Sequence, residues 1–340
     1  MRKLKLIKEL PLIIILIIIS VVITIINPSF FTAENFLDLL KSNLVLTMMA
    51  MGMLVVILTG GIDVSVASII TAVNVIIGNS LIHLTQNIFI TVIIAALCGI
   101  AMGLLNGVLI AGLKIPPIVA TLGTMSMILG IVLYATNGNW ITGIPQNFID
   151  FGRLIILPKT LGDGRVIGLP IQIIFLVPIV VLTWFVLKFT VTGRGIFALG
   201  GNQESADRMG FKTNRIIIFV YAFEGFIIGL AAVAHTSIMR QVDPNAFLGF
   251  EMQVIAAVVL GGASVLGGYG SVLGTIIGVA LFSVINNGMI LMRIPTFWQK
   301  IVVGLIIISS ISADMVQKQR EEKLKVRVDV DEVVEYEAEA

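Results

Sequence analysis

The chain has 340 residues, of which 57% are hydrophobic and 12% charged, with a net charge of +2 and a mean hydropathy of +1.06. A soluble domain covers itself with roughly 25% charged residues, so this composition excludes a water-soluble globular protein and points to a polytopic membrane protein. The single cysteine, Cys98, lies in an apolar run, which excludes an intramolecular disulfide framework and Cys-rich metal sites.

About 20 apolar residues cross the hydrocarbon core of a bilayer. Read with that ruler, the sequence gives ten candidate helical spans: 11–26, 44–59, 66–84, 88–111, 117–134, 170–187, 216–239, 251–264, 271–291 and 297–312. The first follows Met1-Arg2-Lys3-Leu4-Lys5 and imitates a secretory signal. Its apolar core is too long for that, and it ends in Asn27-Pro28-Ser29-Phe30 without a small-residue cleavage site, so it is expected to be a retained first helix. Lys and Arg favour the cytoplasmic side. With the N-terminus inside, ten spans place 15 of the 22 basic residues in the cytoplasm, whereas an odd number would strand one basic terminus outside. Both termini are therefore expected in the cytoplasm. Residues 313–340 form a charged tail that turns acidic after Lys325 and reads as disordered.

The chain echoes itself. The fourth span carries Gly99, Gly103 and Gly107, then Asn106-Gly107 and Lys114-Ile115-Pro116. The ninth carries Gly270, Gly274 and Gly278, then Asn287-Gly288 and Arg293-Ile294-Pro295. Glycines four apart share a helix face and let backbones approach closely, a common feature of any helical membrane bundle. The shared order of motifs adds to it. Residues 44–134 and 216–312 then form two halves of opposite orientation, an inverted repeat. Gly60-Gly61-Ile62-Asp63-Val64-Ser65 and Gly261 to Gly270 interrupt apolar runs. Such breaks either line a pathway, where water satisfies the freed backbone, or make tight cytoplasmic turns.

The longest cytoplasmic loop is predicted at 189–215. Asn202 suits an N-cap, Glu204 and Asp207 suit the positive end of a helix, and Gly210 suits its termination. That describes a short amphipathic helix on the membrane face, either a docking element or a simple connector.

Glu204-Ser205-Ala206-x-x-x-Gly210 resembles the Glu-Ala-Ala…Gly coupling loop of ABC importer permeases, with Ser205 departing at the middle position. The Gly-Arg…Ala-Leu-Gly-Gly-Asn pattern before it resembles permeases for ribose and related sugars. So do Gly61-Ile62-Asp63-Val64-Ser65-Val66-Ala67-Ser68 and Glu251 through Gly262. The likeness runs from about residue 36 to 315. Leu113 through Thr124, Trp140-Ile141-Thr142-Gly143-Ile144-Pro145 and Arg293 through Trp298 look most like the autoinducer-2 import permeases, although monosaccharide permeases share much of this.

The resemblance implies one transmembrane permease domain over 1–312, in a bacterial cytoplasmic membrane, with no chemistry or bound cofactor of its own. In agreement, the sequence has no G-x-x-x-x-G-K-[ST] phosphate loop and no H-E-x-x-H. It further implies a separate ATPase that consumes ATP, a second permease subunit (the same chain or a paralogue) and an extracytoplasmic binding protein delivering a sugar-like ligand. No metal and no nucleic acid are expected. The ATPase-coupling residues would be Gly193, Arg194, Asn202, Glu204, Ala206 and Gly210.

Polar residues inside the spans are costly and are functional candidates by default. Asp63, Ser65, Asn74, Asn106, Glu224 and Asn287 are the candidates for a translocation pathway. Each has a structural alternative: helix capping for Asp63, interhelical hydrogen bonding for the asparagines, and a protonated packing residue for Glu224. His235 reads as structural, and Trp140 and Trp298 as interfacial anchors. Two other classes stay open. An ion-coupled secondary sugar transporter would use Glu224 as its committed carboxylate. A membrane-embedded enzyme would need a cluster of His, Asp or Cys that two distant histidines and one cysteine do not supply.

Overall fold

The computed structural model describes residues 9–160, 166–295, 297–309, 312 and 315–316. Almost all of the predicted tail, 313–340, lies outside these residues. Each of the ten apolar runs contains a helix: α1 (Leu10–Ile26), α2 (Ala33–Leu58), α3 (Val66–His83), α4 (Ile88–Leu113), α5 (Pro117–Thr136), α7 (Ile173–Phe189), α10 (Thr213–Met239), α11 (Phe250–Leu260), α12 (Val272–Leu291) and α13 (Phe297–Ser309). Between α5 and α7 lie α6 (Gln146–Arg153) and an antiparallel pair of strands, β1 (Ile155–Thr160) and β2 (Val166–Pro170). Between α7 and α10 lie α8 (Val191–Gly201) and α9 (Gln203–Arg208).

The fold is the expected all-α polytopic membrane protein, but ten full spans are not what the lengths give. Among the described residues, six helices are long and apolar enough to cross a membrane, α2, α3, α4, α5, α10 and α12. A seventh is reached if α7 and α8, bent by 74° at their junction, count as one. At 1.5 Å per residue, the 11 residues of α11 cover only about half of a hydrocarbon core of roughly 30 Å.

Helix starts are set by side-chain caps. Thr32 accepts from the Asn35 amide ahead of α2, Asn87 from Phe89 and Ile90 ahead of α4, and Ser271 from Gly274 ahead of α12. Each satisfies amides that the first helical turn leaves unpaired. The two basic-Ile-Pro motifs share a backbone: Lys114 and Arg293 both adopt φ = 56°, a left-handed conformation that ends the helix before the proline.

The centre of the bundle is α2, α3 and α10, whose apolar windows are 67–78% buried, against 22% for α4 and α5. Neighbouring contacts give the helix directions. Gly99 and Gly103 of α4 meet Gly225 and Tyr221 of α10, so these two run antiparallel. Gly52 of α2 meets Glu224, and Gly61 just beyond α2 meets Tyr221, so α2 and α10 are antiparallel too. Asn35 pairs with Asn287, and Gly270 before α12 abuts Leu54 and Leu58, so α12 is antiparallel to α2. The two glycine-faced helices, α4 and α12, therefore run in opposite directions, as an inverted repeat requires.

These directions also sort the two faces. Glu9, before α1, accepts from Ser271 at the start of α12, and α8 touches the end of α2. The described N-terminal end and α8–α9 thus share one face. The strand pair lies on the other, beside Glu34, Asp38 and Lys41.

Candidate functional site

The region read as one loop with one short helix is two helices. Thr190 accepts from the Gly193 amide and starts α8; Asn202 accepts from the Ser205 amide and starts α9. Gly210 ends that segment with φ = +85°. Gly193 is buried at the bend, where a Cβ would overlap the carbonyl oxygens of Val186 and Leu187. Arg194, Asn202 and Glu204 are exposed, as is Gly210. Glu204 pairs with Arg208 one turn on, but both are about three-quarters exposed, and such pairs contribute little. Ala206 is fully buried beneath α9. Its small side chain is therefore set by packing against the bundle rather than by a partner's surface. At the far end, the Thr213 hydroxyl donates to Asp207 (2.7 Å) and ties α9 to α10.

Gly200, which carried no special role in the sequence, is the tightest point of this region. A Cβ there would overlap the Leu58 carbonyl oxygen and the Gly268 amide nitrogen. Gly268 itself donates to Leu58 (2.9 Å). A Cβ on Gly267 would lie 2.7 Å from the Gly60 nitrogen and 2.8 Å from the Gly200 Cα. The 261–270 break and the end of α2 therefore meet α8 backbone to backbone, and the 60–65 break joins them through Gly60 against Leu266 and Gly267.

The six polar candidates fall into three separate groups. Asp63 Oδ1 accepts from the amide (2.7 Å) and hydroxyl (2.6 Å) of Ser65, and Asn106 donates to Asp63 Oδ2 (3.2 Å) and Ser65 Oγ (2.8 Å). Thr121 of α5 accepts from the Val64 amide (3.2 Å). These bonds close the α2–α3 break with side chains in place of a backbone ladder. Glu224 is fully buried beside this cluster, packed against Gly52, where a Cβ would lie 3.0 Å from its Cγ. Its carboxyl group lies beside that of Asp63, and among the described residues the hydroxyl of Tyr221, one turn away, has no hydrogen-bond partner.

Asn74 belongs to a second group nearer the opposite face. Its Oδ1 accepts from Thr236 (2.9 Å) and its Nδ2 lies 3.3 Å from His235 Nδ1. Asn287 forms a third, a reciprocal amide pair with Asn35 (3.0 and 3.2 Å) that joins α12 to the start of α2. Asp63, Ser65, Asn74, Asn106 and Glu224 are all enclosed within the single chain.

A family profile described as "Branched-chain amino acid transport system / permease component" matches residues 35–311. The chain belongs to this permease family. The ribose import permease protein of Haemophilus influenzae is 36% identical over 299 residues, 88% of this chain and 90% of that protein. That of Bacillus subtilis is 35% identical over 301 residues, 88% and 90% of the two chains. The autoinducer 2 import system permease protein of Photorhabdus laumondii is 32% identical over 307 residues, 90% and 89%. Identity is therefore higher to the ribose permeases, against the expectation of a nearer likeness to autoinducer-2 permeases. No solved structure matches.

Within the permease, sequence reasoning missed three features. The contact of Gly200 with the end of α2 and the 261–270 break joins residues that are distant in the chain. Gln172, fully buried, donates to Gly152 O (3.0 Å) and Ser237 Oγ (2.9 Å) and anchors the strand pair to α10. The third is the environment of Trp140. Ile141 and Val242 exchange both backbone hydrogen bonds (2.9 and 3.0 Å), so Trp140 stands beside Gln241 and Asp243 at the face opposite α8.

Proposed function

We propose that this chain is a membrane-spanning subunit of an ATP-driven bacterial sugar importer, and that α8 and α9 couple it to a separate ATPase. The observation that carries the reading is the backbone junction at which Gly200 meets Leu58, Gly267 and Gly268, with Gly267 in turn against Gly60. A force applied to the exposed side of α9, at Glu204, Arg208 and Met209, reaches both breaks through rigid backbone contacts. No flexible side chain intervenes to absorb it. Gly193, Arg194, Asn202, Glu204, Ala206 and Gly210 serve this element: Gly193, Asn202, Ala206 and Gly210 shape it, and Arg194 and Glu204 face the ATPase.

The sequence lacks a phosphate loop, so ATP is held and hydrolysed by the partner. A second permease subunit and an extracytoplasmic binding protein complete the importer. The described N-terminal end shares the α8–α9 face, which supports a cytoplasmic N-terminus on the side of the ATPase. Likeness to ribose permeases supports a sugar ligand of pentose size; autoinducer-2 is the narrower alternative. The enclosed residues Asp63, Ser65, Asn74, Asn106 and Glu224, with the part-buried Asn287, shape the helices that frame the pathway.

The test is reconstitution in proteoliposomes with the ATPase and binding protein that co-purify with the chain. ATP-driven uptake of a pentose or hexose is expected, and no accumulation by the chain alone under a proton or sodium gradient. Gradient-driven uptake lost in Glu224→Gln would reverse the assignment in favour of an ion-coupled transporter.

A further inference from the structure

A cavity of about 360 Å³ opens at the face opposite α8, between the N-terminal half of α2, the end of α10 and the segment that follows it. This lies in the volume range of pockets that enclose small ligands. Its walls include Lys41, Trp140, His235, Gln241, Asp243 and Phe247. We infer that this cavity is a binding site for one sugar molecule within the permease itself, a station between the binding protein and the pathway. The inference rests on the sugar-importer reading.

The site is built by two backbone strands. Ile141 and Val242 form an antiparallel bridge, and their side chains point into the bundle, where a Cβ on Gly78 of α3 would lie 2.9 Å from Val242 Cγ2 and 3.6 Å from Ile141 Cγ2. Side chains alternate along an extended segment, so Trp140, Gln241 and Asp243 project to the other side and line the cavity. Gly78 allows the bridge to seat; the bridge in turn holds the aromatic ring beside the carboxylate and the amide.

The opposite wall is set by a hydrogen-bond relay. Asn74 Oδ1 accepts from Thr236, so its Nδ2 is the donor toward His235 Nδ1. That makes Nδ1 an acceptor and leaves the ring proton on Nε2, as a donor for a ligand. The ring is held edge-on to Phe247, with centroids 4.6 Å apart. Asp243 spends one carboxylate oxygen on the Asn245 amide (2.8 Å) and keeps the other. Lys41 forms no ion pair among the described residues.

Aromatic rings therefore stand among one strong acceptor, two donors and a carboxamide that is both. Sugar hydroxyls donate and accept at once, and the C–H face of a sugar ring packs on an aromatic plane. This distribution suits a neutral polyol of one ring. Aromatic stacking and a charged hydrogen bond each contribute on the order of a tenfold change in affinity.

The experiment uses the full-length permease with its ATPase in lipid nanodiscs, without binding protein or ATP. It is titrated with radiolabelled D-ribose and a panel of aldopentoses and aldohexoses, with L-leucine as the amino-acid arm. Saturable sugar binding is expected, weakened about tenfold or more by Trp140→Leu and by Asp243→Asn. Trp184→Leu, on α7 and remote from the cavity, should bind as wild type. A tenfold loss in either cavity variant, with Trp184→Leu unchanged, places the sugar here. Wild-type binding in both cavity variants overturns the inference, as does saturable binding of leucine without sugar. If no panel sugar binds but the complete importer still takes one up with ATP, this inference fails and the importer reading stands. If the complete importer takes up none of them, the sugar reading itself has failed.

Discussion

Replacing Gly200 with alanine probes the coupling junction directly. The new Cβ meets two backbone atoms, the Leu58 oxygen and the Gly268 nitrogen, neither of which has a rotamer to escape into. Movement of about 1 Å is needed before the Cβ reaches the 3.0 Å limit of real contacts, and overpacking of this kind costs about 1–3 kcal/mol. At 1.4 kcal/mol per factor of ten, that is roughly a five- to 150-fold shift in the equilibrium between docked and displaced α8. The matched control is its neighbour. Gly201→Ala has nothing within 4 Å of the added atom and should be neutral or slightly stabilising, since alanine is the better helix former. Both variants go into proteoliposomes as complete importers, and the amount of ligand moved per ATP hydrolysed is measured. Gly200→Ala should lower that ratio at least several-fold while hydrolysis persists, and Gly201→Ala should match wild type. Equal behaviour of the two, whether both intact or both impaired, would refute the idea that the junction transmits the stroke.

Ala206→Trp should lower both thermal stability and ATPase co-purification, because the residue is fully buried beneath α9. Glu204→Ala should weaken co-purification alone, leaving the unfolding midpoint within error of wild type. Gly210→Ala places a side chain at φ = +85°, a cost of about 1–2 kcal/mol, and should reduce ATPase association in a pull-down without changing membrane insertion. Asn106→Leu removes the donor shared by Asp63 and Ser65; leaving the buried Asp63 Oδ2 without that donor costs about 1–3 kcal/mol, seen as a lower midpoint in thermal unfolding. In a Cys98→Ser background, Ser205→Cys should resist an impermeant thiol reagent in intact cells and Lys159→Cys should react; labelling at 205 from outside would overturn the orientation.

What the sequence made legible was local. The ten apolar runs, the cap at Asn202 and the left-handed exit at Gly210 depend on neighbours within a few residues, and all are found in the structure. Span count was not legible, because an apolar run such as 251–264 says nothing of where a short helix stops. Residues 191–201 read as loop because four glycines oppose a helix by propensity. Those at 193, 195 and 200 are present for close approach to Val186, Ile216 and Leu58, a reason that exists only in three dimensions. The pairing of Asp63 with Asn106, 43 residues away, and the split of the polar candidates into three groups are likewise tertiary facts. Asn35, the partner of Asn287, carried no signal at all.

The two halves share a motif but not its use. Gly99 and Gly103 of α4 lock against Gly225, Gly229 and Tyr221 of α10, across the boundary between the halves. Gly274 and Gly278 of α12 lock instead against Gly261 and Ala257 at the end of α11, inside their own half. Backbone-to-backbone contact leaves no side chain to yield, so each glycine face welds its pair into a unit. One unit is α4 with α10, to which α2 and α3 are fastened by Gly52 and by the Asp63–Ser65–Asn106 bonds. The other is α11 with α12. The loop between α11 and α12 carries Gly267 and Gly268, and these touch Gly200 of α8 and the end of α2 together. Under the proposed coupling, a push on α9 would be delivered at a point where the two units meet and would act on their relative position. An approximate symmetry in sequence has thus been broken in packing, giving the chain one larger block of α2, α3, α4 and α10 and one smaller pair, α11 with α12.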